Sequence, residues 1–137
     1  MIVEKKLSDN DLGLTGSHQA GILIPKKKEL IDFFPSLDKT AINPRRLITF
    51  KDETGYEWKF NYIYYNNRLR GGTRNEYRLT GMTKYLRQNL MEVGDYVIME
   101  KKDKSYFIST RKQKQAIIHN VNNEIVIEIN DWRMIGE

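Results

Sequence analysis

Apolar and polar positions alternate most regularly between Tyr56 and Tyr64, where Tyr56, Trp58, Phe60, Tyr62 and Tyr64 occupy every second place. Successive side chains of a strand point to opposite faces, so this period predicts a strand that lays a row of aromatic rings into a core. Before it, Arg45 to Asp52 (RRLITFKD) alternates and predicts a partner strand, and the DETG that follows is a hairpin turn signal. Ile2 to Leu7 and the brief apolar run GILIP predict two further strands, and Glu76 to Thr80 another. Asp95 to Thr110 (DYVIMEKKDKSYFIST) reads as a hairpin whose apolar runs are separated by Lys101 to Lys104. Two short helices interrupt the strands. One opens at Pro25 and carries Leu30, Ile31, Phe33 and Phe34 largely on one side until Pro35 stops it. The other lies in MTKYLRQNLMEVGD with Met82, Tyr85, Leu86 and Leu90 inward.

Seven or eight short strands, with helices that do not fall in regular βαβ alternation, predict a mostly β protein. The expected form is an antiparallel barrel with helices at its ends, and not a parallel doubly wound sheet. A length of 137 residues suits one domain, 1–137, with a real core. The tail, 111–137, is harder to place. Ile125, Ile127 and Ile129 share one face of an alternating stretch, which suggests an added strand or hairpin, while a linker to a further domain stays open. The loop from Ser8 to Gly21 has no clear period and is longer than the usual connection of ~4–6 residues, a length that goes with function or with disorder.

Composition narrows the class. No apolar run approaches the ~18 residues of a membrane span, the first ten residues carry charges where a secretory signal needs an apolar run, and there is no cysteine. A cytoplasmic, disulfide-free protein is expected. The net charge of +5 is modest, yet its placement is informative: Asn61 to Leu90 holds six basic side chains against the single acid Glu76, which accounts for the whole excess. A field concentrated in and just after one loop is the electrostatic footprint of a polyanion binder; a solvated basic surface is the plainer alternative.

Catalytic and metal chemistry find little support. The two histidines, His18 and His119, lie far apart with no ligand spacing, and neither the P-loop nor the G-x-G-x-x-G pattern occurs. Glu124, Glu128 and Asp131 could hold a divalent metal in a small nuclease, but Glu124 and Glu128 are also the natural outward residues of an alternating strand. No catalytic residue, no metal ligand and no cofactor is therefore assigned. A single-strand or RNA-binding module, with bases stacked on Tyr64 and Tyr65, is a further alternative.

Recognition remains. The arm NNRLRGGTRNEYR sets four arginines around one acid, with two glycines that open backbone shapes closed to other residues. Arginine forks onto guanine O6 and N7, glutamate accepts from the cytosine amino group, and asparagine or glutamine suits adenine. Candidate DNA-binding residues here are Arg68, Arg70, Thr73, Arg74, Asn75, Glu76, Tyr77 and Arg78. Glu76 either accepts from a cytosine N4 or positions Arg74 or Arg78 in an ion pair, and the two roles are compatible. His18 and Gln19, between glycines in the long first loop, would form a second reading arm, and Lys26 would touch phosphate from a helix face.

These residues carry a resemblance. W-K-F-x-Y-x-Y-Y-N-N, the arginine-rich arm, Y-R-L-T-G and L-M-E-V-G-D-Y-V-I-M-E resemble the B3 DNA-binding domain of plant transcription factors. D-N-D-L-G-L-T-G-S-H-Q-A-G-I-L-I-P-K is similar to the N-terminal effector domain of EcoRII-type restriction endonucleases. The resemblance implies a seven-stranded open pseudobarrel with two helices, whose two arms grip the major groove of double-stranded DNA. It places the histidine of the first arm at His18, beside Gln19, and the R-x-E-x-R cluster of the second at Arg74, Glu76 and Arg78. Leu23, where an aromatic residue is expected, and Tyr77, where a basic one is expected, depart from the pattern. The resemblance further implies a prokaryotic restriction-modification protein that reads a CC(A/T)GG-like site without cleaving it. The isolated domain would be monomeric, and a fused nuclease domain, absent from this chain, would need Mg2+.

Overall fold

The computed structural model describes residues 1–14, 21–67, 71–113, 125–129 and 131–136, of which 125–129 and 136 by backbone alone. Among these lie strands β1 (Ile2–Lys6), β2 (Ile22–Ile24), β3 (Arg45–Lys51), β4 (Glu57–Tyr65), β5 (Glu76–Thr80), β6 (Tyr96–Lys102), β7 (Ser105–Arg111), β8 (Ile125–Ile129) and β9 (Trp132–Gly136), with helices α1 (Lys28–Ile31) and α2 (Thr83–Gln88). They form one sheet in the order β2-β5-β4-β3-β7-β6-β1-β9-β8. Neighbours pair antiparallel, except that β3 and β7 run parallel over Phe50–Tyr106 and Lys51–Phe107.

The sheet curls into an open half-barrel of the expected mostly β class. Strands β1 to β7 with two helices match the seven-stranded form; β8 and β9 add a hairpin that pairs with β1 through β9. The alternation read from the sequence is the reason for the curl's filling. Trp58, Phe60 and Tyr62 of β4, Ile48 and Phe50 of β3, and Val97 and Met99 of β6 all turn inward and are buried. Rings meet edge-on at Trp58–Tyr85 (5.0 Å) and stacked at Phe34–Tyr62 (4.6 Å), an arrangement that adds to their area burial.

The aromatic row is shorter than its period suggested. Tyr56 lies outside β4 and is 57% exposed, because Asp52 already collects its backbone N–H into the hairpin turn, and Tyr64 is only half-buried at the far end. Helix α1 is also shorter than expected. It begins at Lys28, and its continuation tightens into Phe33 N–H to Leu30 O and Phe34 N–H to Ile31 O bonds of 3.1 Å. That tighter turn is a normal helix ending, and it buries both phenylalanines in the core, Phe33 against Tyr106 and Phe34 against Tyr62.

Candidate nucleic-acid interface

Strand β5 organises the site. Tyr77 and Leu79 point into the core, so Glu76, Arg78 and Thr80 share the outward face. The register sets Glu76 opposite Tyr65, and Arg78 between Ile63 of β4 and Leu23 of β2. The second arm, 66–75, leads into β5 at Glu76. The first arm returns at Gly21, whose φ of +82° and lack of a Cβ let its backbone lie against Leu79; a Cβ there would collide with the Leu79 carbonyl. The two arms are thus rooted at opposite ends of β5, roughly 13 Å apart at about 3.3 Å per residue.

Local hydrogen bonds hold the second arm. Asn66, 2% exposed, exchanges bonds with Asn43 (2.8 and 3.2 Å) and donates to the Ala41 carbonyl at 2.8 Å. Asn67 accepts the Arg74 backbone N–H on Oδ1 and the Gly72 N–H on its carbonyl, both at 2.8 Å, which closes the loop's base. The Tyr64 hydroxyl donates to Asn75 Oδ1 at 2.7 Å.

On this base sits a charged cluster. Arg74 donates from Nε (3.2 Å) and Nη2 (2.7 Å) to Glu76 Oε1, while its guanidinium lies 3.6 Å from the Tyr65 ring centroid. Arg78 donates from Nε to the same Oε1 at 3.1 Å, from Nη2 to Oε2 at 3.5 Å, and from Nη1 to the Gly21 carbonyl at 3.2 Å. Oε1 therefore carries three donors and Oε2 one long contact. Burial pushes the Glu76 carboxyl up, but hydrogen bonds from Arg78 and Arg74 more than offset it and hold the group below the usual carboxylate range. Glu76 is ionised throughout neutral pH.

The candidates separate by position. Arg74, Asn75 and Glu76 come together at half-exposed places on the rim, and Thr73 is exposed beside them. Arg78 is 2% exposed, beneath the cluster. Tyr77 takes no place on the outward face: it is 5% exposed and stacks on Tyr64 at 4.3 Å, because its position in β5 points inward. Lys26 is exposed at a cleft of about 430 Å³ that it shares with Lys39, Tyr64 and Asn75, next to the second arm. His18, Gln19, Arg68 and Arg70 lie outside the described residues. Tyr65 was legible only as a stacking surface for unpaired bases and not as the ring under Arg74, and Asn66, Asn67 and Gly21 carried no assigned role in the site. Only the paired asparagines at a strand end carried a signal, since short amides favour bonds to nearby backbone.

A curled open sheet with two arms at the ends of β5 is a pseudobarrel of the B3 type, and the comparisons agree. The structure matches an Arabidopsis FUS3-DNA complex (TM-score 0.60, 23% identity, 80% of this chain and 94% of that one) and an Arabidopsis thaliana LEC2-DNA complex (TM-score 0.55, 21% identity, with the same coverages). The family model for the N-terminal part of restriction endonuclease EcoRII matches residues 1–130, and the chain belongs to that family. Among curated relatives, the type II restriction enzyme EcoRII of Escherichia coli is 40% identical over 80 residues, covering 56% of this chain and 19% of that enzyme. A B3 domain-containing protein of Oryza sativa subsp. japonica is 27% identical over 109 residues, covering 79% of this chain and 35% of that protein. The chain thus spans well under half the length of these relatives.

Proposed function

We propose that this chain binds double-stranded DNA sequence-specifically, gripping the major groove between its two arms, as the recognition domain of a restriction endonuclease. The observation that carries the reading is the Arg74–Glu76–Arg78 cluster on the outward face between the arm roots. The separation of the roots, roughly 13 Å, fits a major groove about 12 Å wide. Family membership, and relatives named as a restriction enzyme and B3 domain proteins, support the same reading.

The geometry favours joint roles for Glu76. With Oε1 saturated by arginines, Oε2 is the acceptor left for a cytosine amino group. Arg74, held by Glu76 and the Tyr65 ring, keeps Nη1 for guanine or phosphate. Asn75 offers its amide nitrogen, and His18 and Gln19 would read from the first arm. Arg68, Arg70, Thr73 and Lys26 suit phosphate contacts. A site of the CC(A/T)GG kind supplies the matching bases.

The binding needs no metal or cofactor, so chelation leaves it intact. Cleavage would belong to a separate, Mg2+-dependent nuclease domain in a longer bacterial protein working in the cytoplasm; among the described residues no helix is long and apolar enough to cross a membrane. By itself the domain is a monomer. Selection from randomised duplexes, with EDTA present, tests this reading: enrichment of one short G·C-containing motif is expected, and recovery of unenriched sequence would overturn it. Plasmid cleavage by the chain with Mg2+ would instead favour the nuclease alternative.

A further inference from the structure

Arg78 stands apart from Arg74, the other arginine of the cluster. A guanidinium that forks onto guanine must present an open edge to the groove, whereas the Arg78 side chain is 3% exposed. Each of its three nitrogens already donates within the protein: Nε and Nη2 to the Glu76 carboxylate, Nη1 to the Gly21 carbonyl. Glu76 belongs to the root of the second arm and Gly21 to the return of the first, so one side chain joins two segments 55 residues apart in the chain. Backbone geometry serves this contact. Gly21 has φ of +82° and no room for a Cβ against Leu79, which brings its carbonyl onto Arg78, and Leu23 is Arg78's register partner on β2.

Resting on the function just proposed, we propose that Arg78 is a positioning residue that locks the first arm to the acidic reader of the second, and that it reads no base itself. Its planar fork is what the role requires. Lysine, a single point charge on a flexible stem, cannot span Gly21 O and both Glu76 oxygens in fixed directions. With Arg78 in place, displacement of Gly21 shifts Glu76 and, through Oε1, Arg74, so the base positions read by the two arms are selected together.

The test is position-resolved specificity. Duplex selections and titrations are run on wild type, Arg78→Ala, Arg78→Lys and, as a reader control, Arg74→Ala, with the urea midpoint of each variant measured alongside. Both Arg78 variants should lose about tenfold or more at the selected site and weaken preference at base pairs under both arms together. Affinity for random duplex should change little, and the salt slope should stay at the wild-type value. Loss of preference at a single base pair would make Arg78 a reader and overturn the proposal. A salt slope reduced by about one, with all sequences weakened alike, would make it a phosphate contact and do the same. Unfolding of both variants would assign Arg78 to the fold and not to the arms, which also overturns it. A wild type without sequence preference would instead defeat the underlying function.

Discussion

Trp132 donates its indole N–H to the Leu23 carbonyl at 3.2 Å, and so joins β9 to β2, which begins the strand order at the opposite edge. The two residues are 109 apart in sequence, and Trp132 is 1% exposed. The bond spans the open seam of the half-barrel at the strand onto which the first arm returns. Because β9 also pairs with β1, the C-terminal hairpin is built into the core that carries the arms.

Trp132→Ala should therefore lower stability by about 3–5 kcal/mol, as for other buried aromatics truncated to alanine. Trp132→Phe, which keeps most of the ring and loses the donor, should cost about 1–3 kcal/mol. Urea denaturation measures both. A Trp132→Ala midpoint equal to wild type would mean that the hairpin does not share the cooperative fold.

At the other end of the aromatic row, Trp58 is 7% exposed and donates to Asp52 Oδ2 at 2.9 Å. Trp58→Ala should cost about 3–5 kcal/mol, with DNA binding unchanged wherever the variant is fully folded. Asp52 also gathers Thr54 and Tyr56, and the Thr54 hydroxyl, followed by Trp58, holds its carboxyl below the usual range. A depressed pKa favours the fold above the unfolded value of about 3.9 and loses that contribution as pH falls through the folded value. Asp52→Ala should accordingly destabilise at pH 7, and its deficit should shrink below pH ~4. A deficit independent of pH would contradict the ionised role.

Asn67 supplies the acceptor for the Arg74 backbone N–H. Asn67→Ala leaves that donor unmet and frees the base of the second arm, so specific-site binding should fall by about 1–3 kcal/mol. Its urea midpoint should move less than that of Trp58→Ala. Asn67→Asp, which keeps the acceptor, should restore part of the binding. Unaltered binding in Asn67→Ala, measured by titration of the selected duplex, would show that the arm is held by other means.

Glu76→Ala should weaken the selected duplex by about 1–3 kcal/mol while random duplex binds as well as before or better, because a negative charge facing phosphate has gone. The lowered pKa of Glu76 adds a pH signature. Its ionised form is retained down to the usual carboxylate value of ~4.3 and beyond, so the share of specificity that Glu76 supplies, read as the difference between wild type and Glu76→Ala, should be flat from pH 8 to 5 and decline only as pH falls through the lowered pKa. Equal proportional losses on selected and random DNA in Glu76→Ala would show that Glu76 positions arginines and reads no base.

Strands β3 to β7 were legible because each has a buried face, which writes a period of two into the sequence; Glu76–Thr80 was read to the residue. The row's limits were not legible at Tyr56, where a local turn around Asp52 takes over from the ladder. Nor was the short α1, since Phe33 and Phe34 serve the core equally well from a tightened turn. In the site, composition alone gathered Arg74, Asn75 and Glu76 into one loop and one strand end. The burial of Arg78 depends on Gly21, 57 residues away, and the hold on Asn66 depends on Asn43, 23 residues away. No local pattern encodes those separations. Tyr77 was misassigned for a related reason: position in a basic motif suggested DNA, while strand parity turned its ring inward.

Sequence-specific reading of duplex DNA by the two arms is open to direct test. Its most direct measurement is a titration of the selected duplex against a random duplex of equal length at one fixed salt concentration, with EDTA present. A preference of at least ~10³-fold for the selected sequence is expected, the lower end of the range for specific readers. Equal affinity for the two duplexes would contradict it.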